Sequence, residues 1–283
     1  MSEELILRSR AKVNIGLKIQ NKRSDGFHNI HTLFQELDLH DTITLCRAES
    51  GCHFSSNIDW LDNSSDNLCV KAWMRMGKLF DIKGISIHLE KIIPAGSGLG
   101  GGSSNAAAIL KGINRLYELG LEKKELESIA SSIGADVPFF IRGGIQLGEG
   151  IGEVLTRVNT NIKGTYLLVI PRIHINTAWA FSAYKILLQD DKEKVNFKSL
   201  IERDNISFKF FENDFESIIV PSYPKIGSIK DTLRDSSARF ASLSGSGSTV
   251  YAIFDDEADA KSVESQFSRS HITFITQPYL MDT

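Results

Sequence analysis

Polar and apolar residues alternate with a two-residue period over LILRSRAKVNIGLKIQ and again over FHNIHTLFQELDL, with Asp25-Gly26 in the polar stretch between them. Alternation on both sides of an Asp-Gly step predicts a β-hairpin. Two more short strands are expected at TITLCR and GCHFSS. The period then lengthens to that of a helix in NLCVKAWMRMGKLF, with Ser65 or Asp66 as the expected cap. ISIHLEKII returns to alternation. SSNAAAILKGINRLYEL and LGLEKKELESIASSIGA read as two successive helices, and GADVPFFIRGGIQLGEGIGEVL combines an Asp-Val-Pro turn with glycine-spaced strands. TYLLVIP has the continuous apolar character of a buried strand. Residues 176–189 and 221–235 have helical spacing, RFASLSGSGSTVYAIF reads as strand, glycine turn and strand, DEADAKSVESQFSRS as a helix, and ITFITQ as a strand. Strands and helices are interspersed without a regular βαβ rhythm, which predicts the α+β class. EVLTRVNTNIKG turns polar ahead of the strand at 165, so the expected domains are 1–158 and 159–283.

One segment breaks both periods. PAGSGLGGGSSN, residues 94–105, carries five glycines between a predicted strand and a predicted helix. Such a loop lets several backbone N–H groups point at one anion, and the helix dipole behind it favours negative charge. A plain turn would not need five glycines, whose ordering costs conformational entropy. Gly96, Gly98 and Gly101 satisfy G-x-G-x-x-G, but a second helix follows where the dinucleotide fold requires a parallel strand. Gly96 and Gly101 also have P-loop spacing, with Ser103 in the Ser/Thr position, yet Gly102 stands where that loop carries its lysine. The protein-kinase loop leads into a strand, and this one meets a helix.

Composition narrows the partners. The chain has 283 residues, 42% hydrophobic and 24% charged, with a formal net charge of −3. That is room for one large or two modest domains, with no broad surface for nucleic acid or anionic membrane. No segment approaches the ~18 apolar residues of a membrane span, and MSEELILRSR lacks a signal-like apolar run. Cys46, Cys52 and Cys69 are odd in number and have no C-x-x-C spacing, which fits reduced thiols. The expectation is a cytoplasmic protein, monomeric or a weak homodimer, with a small-molecule substrate and neither nucleic acid nor membrane as partner.

PAGSGLGGGSSNAAA resembles the phosphate loop of the galactokinase, homoserine kinase, mevalonate kinase and phosphomevalonate kinase (GHMP) family. AKVN at 11–14, RSDGFHNIHTLFQ at 23–35 and GADVPFF at 134–140 are similar to one branch of it, as are DNLCVKA at 66–72 and SLSGSGSTVYA at 242–252. That branch phosphorylates a cytidine diphosphate-linked methylerythritol in non-mevalonate isoprenoid synthesis. The resemblance covers most of the chain in family order and is weakest from about 185 to 235. It implies a domain like domain 2 of ribosomal protein S5 followed by a ferredoxin-like domain, with the active site in the cleft between them. Two other functions share the loop: a GHMP kinase acting on homoserine or mevalonate, and a non-catalytic nucleotide sensor. DGFH beside AKVN stands against the first, and retention of both Lys12 and Asp136 against the second.

Phosphoryl transfer needs a phosphate cradle, Mg²⁺, a cation near the reacting oxygens and a group that orients or deprotonates the acceptor. The implied cofactor is ATP with Mg²⁺. The cradle would be Pro94, Ala95, Gly96, Ser97, Gly98, Leu99, Gly100, Gly101, Gly102, Ser103 and Ser104, with Ser103 or Ser104 near the metal. No carboxylate cluster marks a metal cage, so no protein metal site is expected. The resemblance offers Lys12 for the missing loop lysine, although a strand lysine between Ala11 and Val13 ordinarily faces solvent. It offers Asp136 as base or orienting group, although Asp ahead of Val-Pro also suits a helix cap. Phe27 would stack on cytosine opposite Phe181, and His28 would bond the edge of the base. The family commonly has tyrosine where Phe27 stands, so the ring is kept and a hydroxyl is lost. Asn14 would bond the methylerythritol hydroxyls, Gly245 in the second glycine turn would close the acceptor side, and Asn67 would lie near the adenine.

Overall fold

The computed structural model describes residues 4–62, 66–158, 162–184, 197–201 and 207–279. The chain packs as two compact units, one of residues 1–11, 39–95 and 100–143, the other of residues 12–38, 96–99 and 144–283. Two long strands, β1 (Glu4–Lys22) and β2 (His28–Ala48), contribute residues to both. The sequence pattern suggests two strands within 27–47, but β2 is continuous through its polar middle. Asp41 there is fully buried and its carboxylate is hydrogen-bonded, so the polar residue does not end the strand.

The first unit adds β3 (Gly51–Ser56), α1 (Asp59–Asp62), α2 (Leu68–Gly77), β4 (Gly84–Glu90), α3 (Gly101–Leu116), α4 (Lys123–Ser131) and α5 (Val137–Arg142). β4 pairs antiparallel with β2, Thr42 opposite Glu90, and parallel with β3, Gly51 opposite Gly84. The central element is α3. Ala106, Ala107, Ile109, Leu110 and Ile113 are buried around it, and it packs on α2, α4 and α5. The run of alanines lets neighbouring helices approach closely, so α3 is held from the sides. The cap of α2 is Asn67, whose Oδ1 accepts from Cys69 N at 2.9 Å. Of the two caps suggested by sequence, Asp66 pairs instead with Lys71 at 2.7 Å, and Ser65 lies outside the described residues.

The second unit adds β5 (Ile145–Glu149), β6 (Val154–Arg157), β7 (Thr165–Ile170), α6 (Thr177–Ala183), α7 (Phe197–Ile201), a 3-10 turn (Phe208–Phe210), α8 (Glu216–Ser222), α9 (Pro224–Arg234), β8 (Phe240–Leu243), β9 (Val250–Phe254), α10 (Glu257–Glu264) and β10 (Ile272–Thr276). The helix expected over 176–189 is observed to Ala183; residues 185–189 lie outside the described ones. Strands β7 to β10 form an antiparallel sheet in the order β10-β7-β9-β8. Counted along the chain this is 4-1-3-2, the ferredoxin-like arrangement the resemblance implied. One face carries a core of Leu167, Val169, Phe215, Ile229 and Phe254. The other face is covered as well, which is why β7 and β9 are buried at every position. There Tyr166 and Tyr251 stack at 6.1 Å, and the Tyr251 hydroxyl donates to the Asn14 carbonyl of β1 at 2.9 Å.

Candidate active site

Lys12 and Asn14 are two residues apart on β1, so their side chains leave the same face of the strand. Both are buried. Lys12 Nζ donates to Asn14 Oδ1 at 2.8 Å and lies 5.3 Å from the centre of the Phe34 ring. The other end of the Asn14 amide donates to Thr32 Oγ1 at 2.9 Å, and Thr32 donates onward to the Gly16 carbonyl at 2.7 Å. This chain of bonds has one direction, so Asn14 must present its oxygen to Lys12. A strand lysine that ordinarily faces solvent is thus turned inward and held.

The loop's middle, 96–99, belongs to the same unit. Leu99 O accepts from Lys12 N at 2.9 Å, and Ser97 O accepts from Thr249 N at 3.1 Å. Ser244 Oγ donates to the Gly98 carbonyl at 2.9 Å. The two glycine turns of the sequence therefore lie against each other. Gly98 has φ +86°, and a Cβ there would fall on the Ser244 carbonyl oxygen and crowd that of Gly247 at 2.9 Å. Only glycine fits this position, on conformation and on space. A Cβ at Gly245 would lie 3.4 Å from Asn14 Oδ1 and 3.8 Å from Lys12 Nζ and Gly98 O. Lys12, Asn14, Gly98 and Gly245 thus form one cluster. Asn213 holds the second turn in place, donating to Leu243 O at 2.7 Å and Gly245 O at 2.8 Å. Asn213 lies outside every motif of the sequence; Thr32 and Ser244 lie inside two of them, but the bonds they make appear only when the turns are seen together.

The aromatic residues lie in the same unit. Phe27 follows the Asp25-Gly26 turn and is 58% exposed. His28 opens β2 and stacks on Phe181 of α6, with ring centroids 5.4 Å apart and planes 8° from parallel. Phe181 meets Phe215 edge-on at 4.8 Å. Phe181 thus faces His28, whereas the sequence pairs it with Phe27. Burial, and then the charge of Lys22, holds the His28 imidazole below its ordinary pKa of 6.5.

In the first unit, Gly100 occupies the N-cap of α3 with φ +70°, and Ser104 is buried in the helix's first turn. Asp136 occupies the N-cap position of α5, with Pro138 just inside, but its carboxylate makes no capping bond. The alternative role as a helix cap is therefore not what this side chain does. Asn67 uses both ends of its amide, Oδ1 on Cys69 N and Nδ2 on Leu61 O at 3.3 Å. Among the described residues no group of three or more His, Cys, Asp or Glu side chains could hold a metal.

Two family models match segments of the chain. The GHMP kinases N terminal domain matches residues 67–144, and the GHMP kinases C terminal domain matches residues 196–272. A 4-diphosphocytidyl-2-C-methyl-D-erythritol kinase of Alkaliphilus oremlandii is 38% identical over 99% of this chain and 97% of that protein. The chain belongs to the GHMP kinase family. A second kinase of that name, from Chlorobaculum tepidum, is 37% identical over 96% of this chain and 97% of its own length. A solved structure of 4-(cytidine 5'-diphospho)-2C-methyl-D-erythritol kinase matches with a TM-score of 0.83 at 26% identity, covering 98% of this chain and all of that one. A homoserine kinase from Cytophaga hutchinsonii shares the GHMP fold, with a TM-score of 0.73 at 18% identity over 99% and 96% of the two chains. No helix among the described residues is long and apolar enough to cross a membrane.

Proposed function

We propose that this GHMP kinase transfers the γ-phosphoryl group of ATP to the C2 hydroxyl of 4-diphosphocytidyl-2-C-methyl-D-erythritol, giving the 2-phosphate and ADP in the methylerythritol phosphate route to isoprenoid precursors. The observation that carries the reading is near-full-length identity of 37–38% with two kinases so named. Within it, residues 94–104 and the N-terminus of α3 bind the ATP phosphates through backbone N–H groups and the helix dipole. Magnesium enters with ATP as part of the substrate, carried by the phosphates. Lys12 supplies the cation that the loop itself lacks, next to the transferred group. Asn14, its amide fixed by Thr32, bonds the acceptor's hydroxyls, and Asp136 orients or deprotonates the C2 hydroxyl. Phe27, His28 and Phe181 receive the cytosine, Gly245 leaves room for the acceptor, and Asn67 lies toward the adenine. Domains of 1–158 and 159–283, a cytoplasmic location, and a monomer or weak dimer complete the proposal. The test is to supply the purified chain with that acceptor, ATP and Mg²⁺ and to follow ADP. Turnover on homoserine or mevalonate and none on the cytidine compound sinks it. ATP binding without turnover on any acceptor makes the chain a sensor.

A further inference from the structure

Asp41, in the middle of β2, is wholly buried. A carboxylate in that position is costly unless its oxygens are satisfied. Four donors converge on it. Oδ1 accepts from the backbone N–H groups of Ile92 at 2.7 Å and Ile93 at 2.8 Å. Oδ2 accepts from Lys91 Nζ at 2.6 Å and Asn105 Nδ2 at 2.8 Å. Three donors come from the residues directly ahead of Pro94, and the fourth from α3 just past Ser104. One side chain therefore fastens both flanks of the phosphate loop.

The bonds continue from Asn105. Its Nδ2 also donates to Ser9 Oγ at 2.8 Å, and the Ser9 hydroxyl donates to Ser104 Oγ at 2.9 Å. Ser104 therefore accepts from Ser9, and its own O–H remains the donor, the polarity an anion requires. Lys91 is drawn in as well: a Cβ on Gly101 would stand 2.9 Å from its Nζ. A cation over the first residue of α3 opposes the helix dipole, and the carboxylate of Asp41 offsets it.

We infer that Asp41 is a positioning residue for the phosphate loop, holding its two flanks and setting the donor direction of Ser104. This rests on the reading of the loop as the ATP cradle. Its mark is a loss confined to ATP, because none of its partners belongs to the cluster around Lys12 and Asn14.

The experiment titrates a fluorescent ATP analogue against the full chain, wild type, Asp41→Asn and Ser9→Ala, and measures KM for ATP and for the acceptor. Asp41→Asn sets an N–H₂ group against the donors of Lys91 and Asn105. It should weaken analogue binding about tenfold or more, with acceptor KM within about twofold. Ser9→Ala leaves all four bonds to Asp41 in place and should weaken analogue binding about threefold. If Asp41→Asn does not fold, Asn105→Leu, which removes the bond that ties α3 to Asp41, is titrated in its place and should weaken analogue binding in the same direction. Equal binding in wild type and variants, or equal losses for ATP and acceptor, overturns the role of Asp41. A wild type that does not bind the analogue overturns the cradle reading itself.

Discussion

The ammonium of Lys12 donates to Asn14 Oδ1 at 2.8 Å, with both side chains buried on one face of β1. Burying a cation costs several kcal/mol of hydration unless it is hydrogen-bonded. Asn14 meets part of that need with a neutral acceptor, and its own amide is held in turn by Thr32.

Lys12→Met should therefore separate catalysis from stability. Methionine fills the space of the lysine stem and leaves Asn14 Oδ1 without its donor, so the stability cost should stay near ~1–3 kcal/mol. The loss of a preorganised cation should lower kcat by ~10²–10³. Thermal denaturation together with steady-state kinetics checks this. A melting temperature that falls in step with kcat would make the lysine structural.

Gly98→Ala should weaken both the fold and ATP binding, whereas Gly26→Ala should cost the fold only its conformational strain and leave ATP binding unchanged. The two glycines have nearly the same φ, +86° and +89°, so the conformational strain of a Cβ is shared. They differ in space: the Cβ at 98 meets the second glycine turn, and the Cβ at 26 meets nothing within 4 Å. Strain alone costs roughly 1–3 kcal/mol. The excess loss in Gly98→Ala, read by melting temperature and KM for ATP, measures the contact between the turns.

Much of this architecture was legible in the sequence, for a physical reason. The glycine loop, its helix and the buried strand TYLLVIP are local patterns, set by backbone freedom and periodicity over a few residues. The contact of Gly98 with Ser244 joins segments ~146 residues apart and leaves no mark in either. Asp41 misled in the same way. As a polar residue it suggests a break between two strands, and only its four distant donors make a continuous strand possible. Asn67 rather than Ser65 or Asp66 caps α2 because the bond to Cys69 N requires the residue immediately ahead of the helix. All three caps were acceptable by residue type.

Phe27→Ala should raise the acceptor's KM by more than it lowers kcat, as expected when uniform binding is lost. Stacking on a base is worth ~1–3 kcal/mol, which is about tenfold or more in KM. Because Phe27 is 58% exposed, its removal should leave the melting temperature unchanged. Phe181→Ala should raise KM as well, but with a fall in melting temperature, since its ring packs between His28 and Phe215. A drop in kcat alone would contradict stacking.

Acidification should destabilise the protein below the ordinary histidine range. The pKa values of His28 and His271 are both held down by burial first, and then by Lys22 and Lys225 respectively. In each case the denatured chain takes up its proton before the folded one. Their contribution is present above pH 6.5 and is lost as pH falls through the lowered folded values. Melting temperature should decline with falling pH in this window, and less steeply in His28→Gln. Identical slopes in the two proteins would remove His28 from the explanation.

Asp136→Asn tests what the carboxylate does. Asp136 stands at the N-cap of α5 without capping it, so the amide should not cost that helix a bond, and ATP affinity should stay as it is. If Asp136 takes the proton of the acceptor hydroxyl, kcat should fall by ~10²–10⁴. If it only aligns that hydroxyl, the amide oxygen of asparagine can still accept a hydrogen bond, and most of the rate should survive. Single-turnover ADP formation, measured with the fluorescent analogue as a check on binding, distinguishes the two. A loss under about tenfold assigns Asp136 to alignment, because a proton with no base to receive it costs more than one misdirected hydrogen bond.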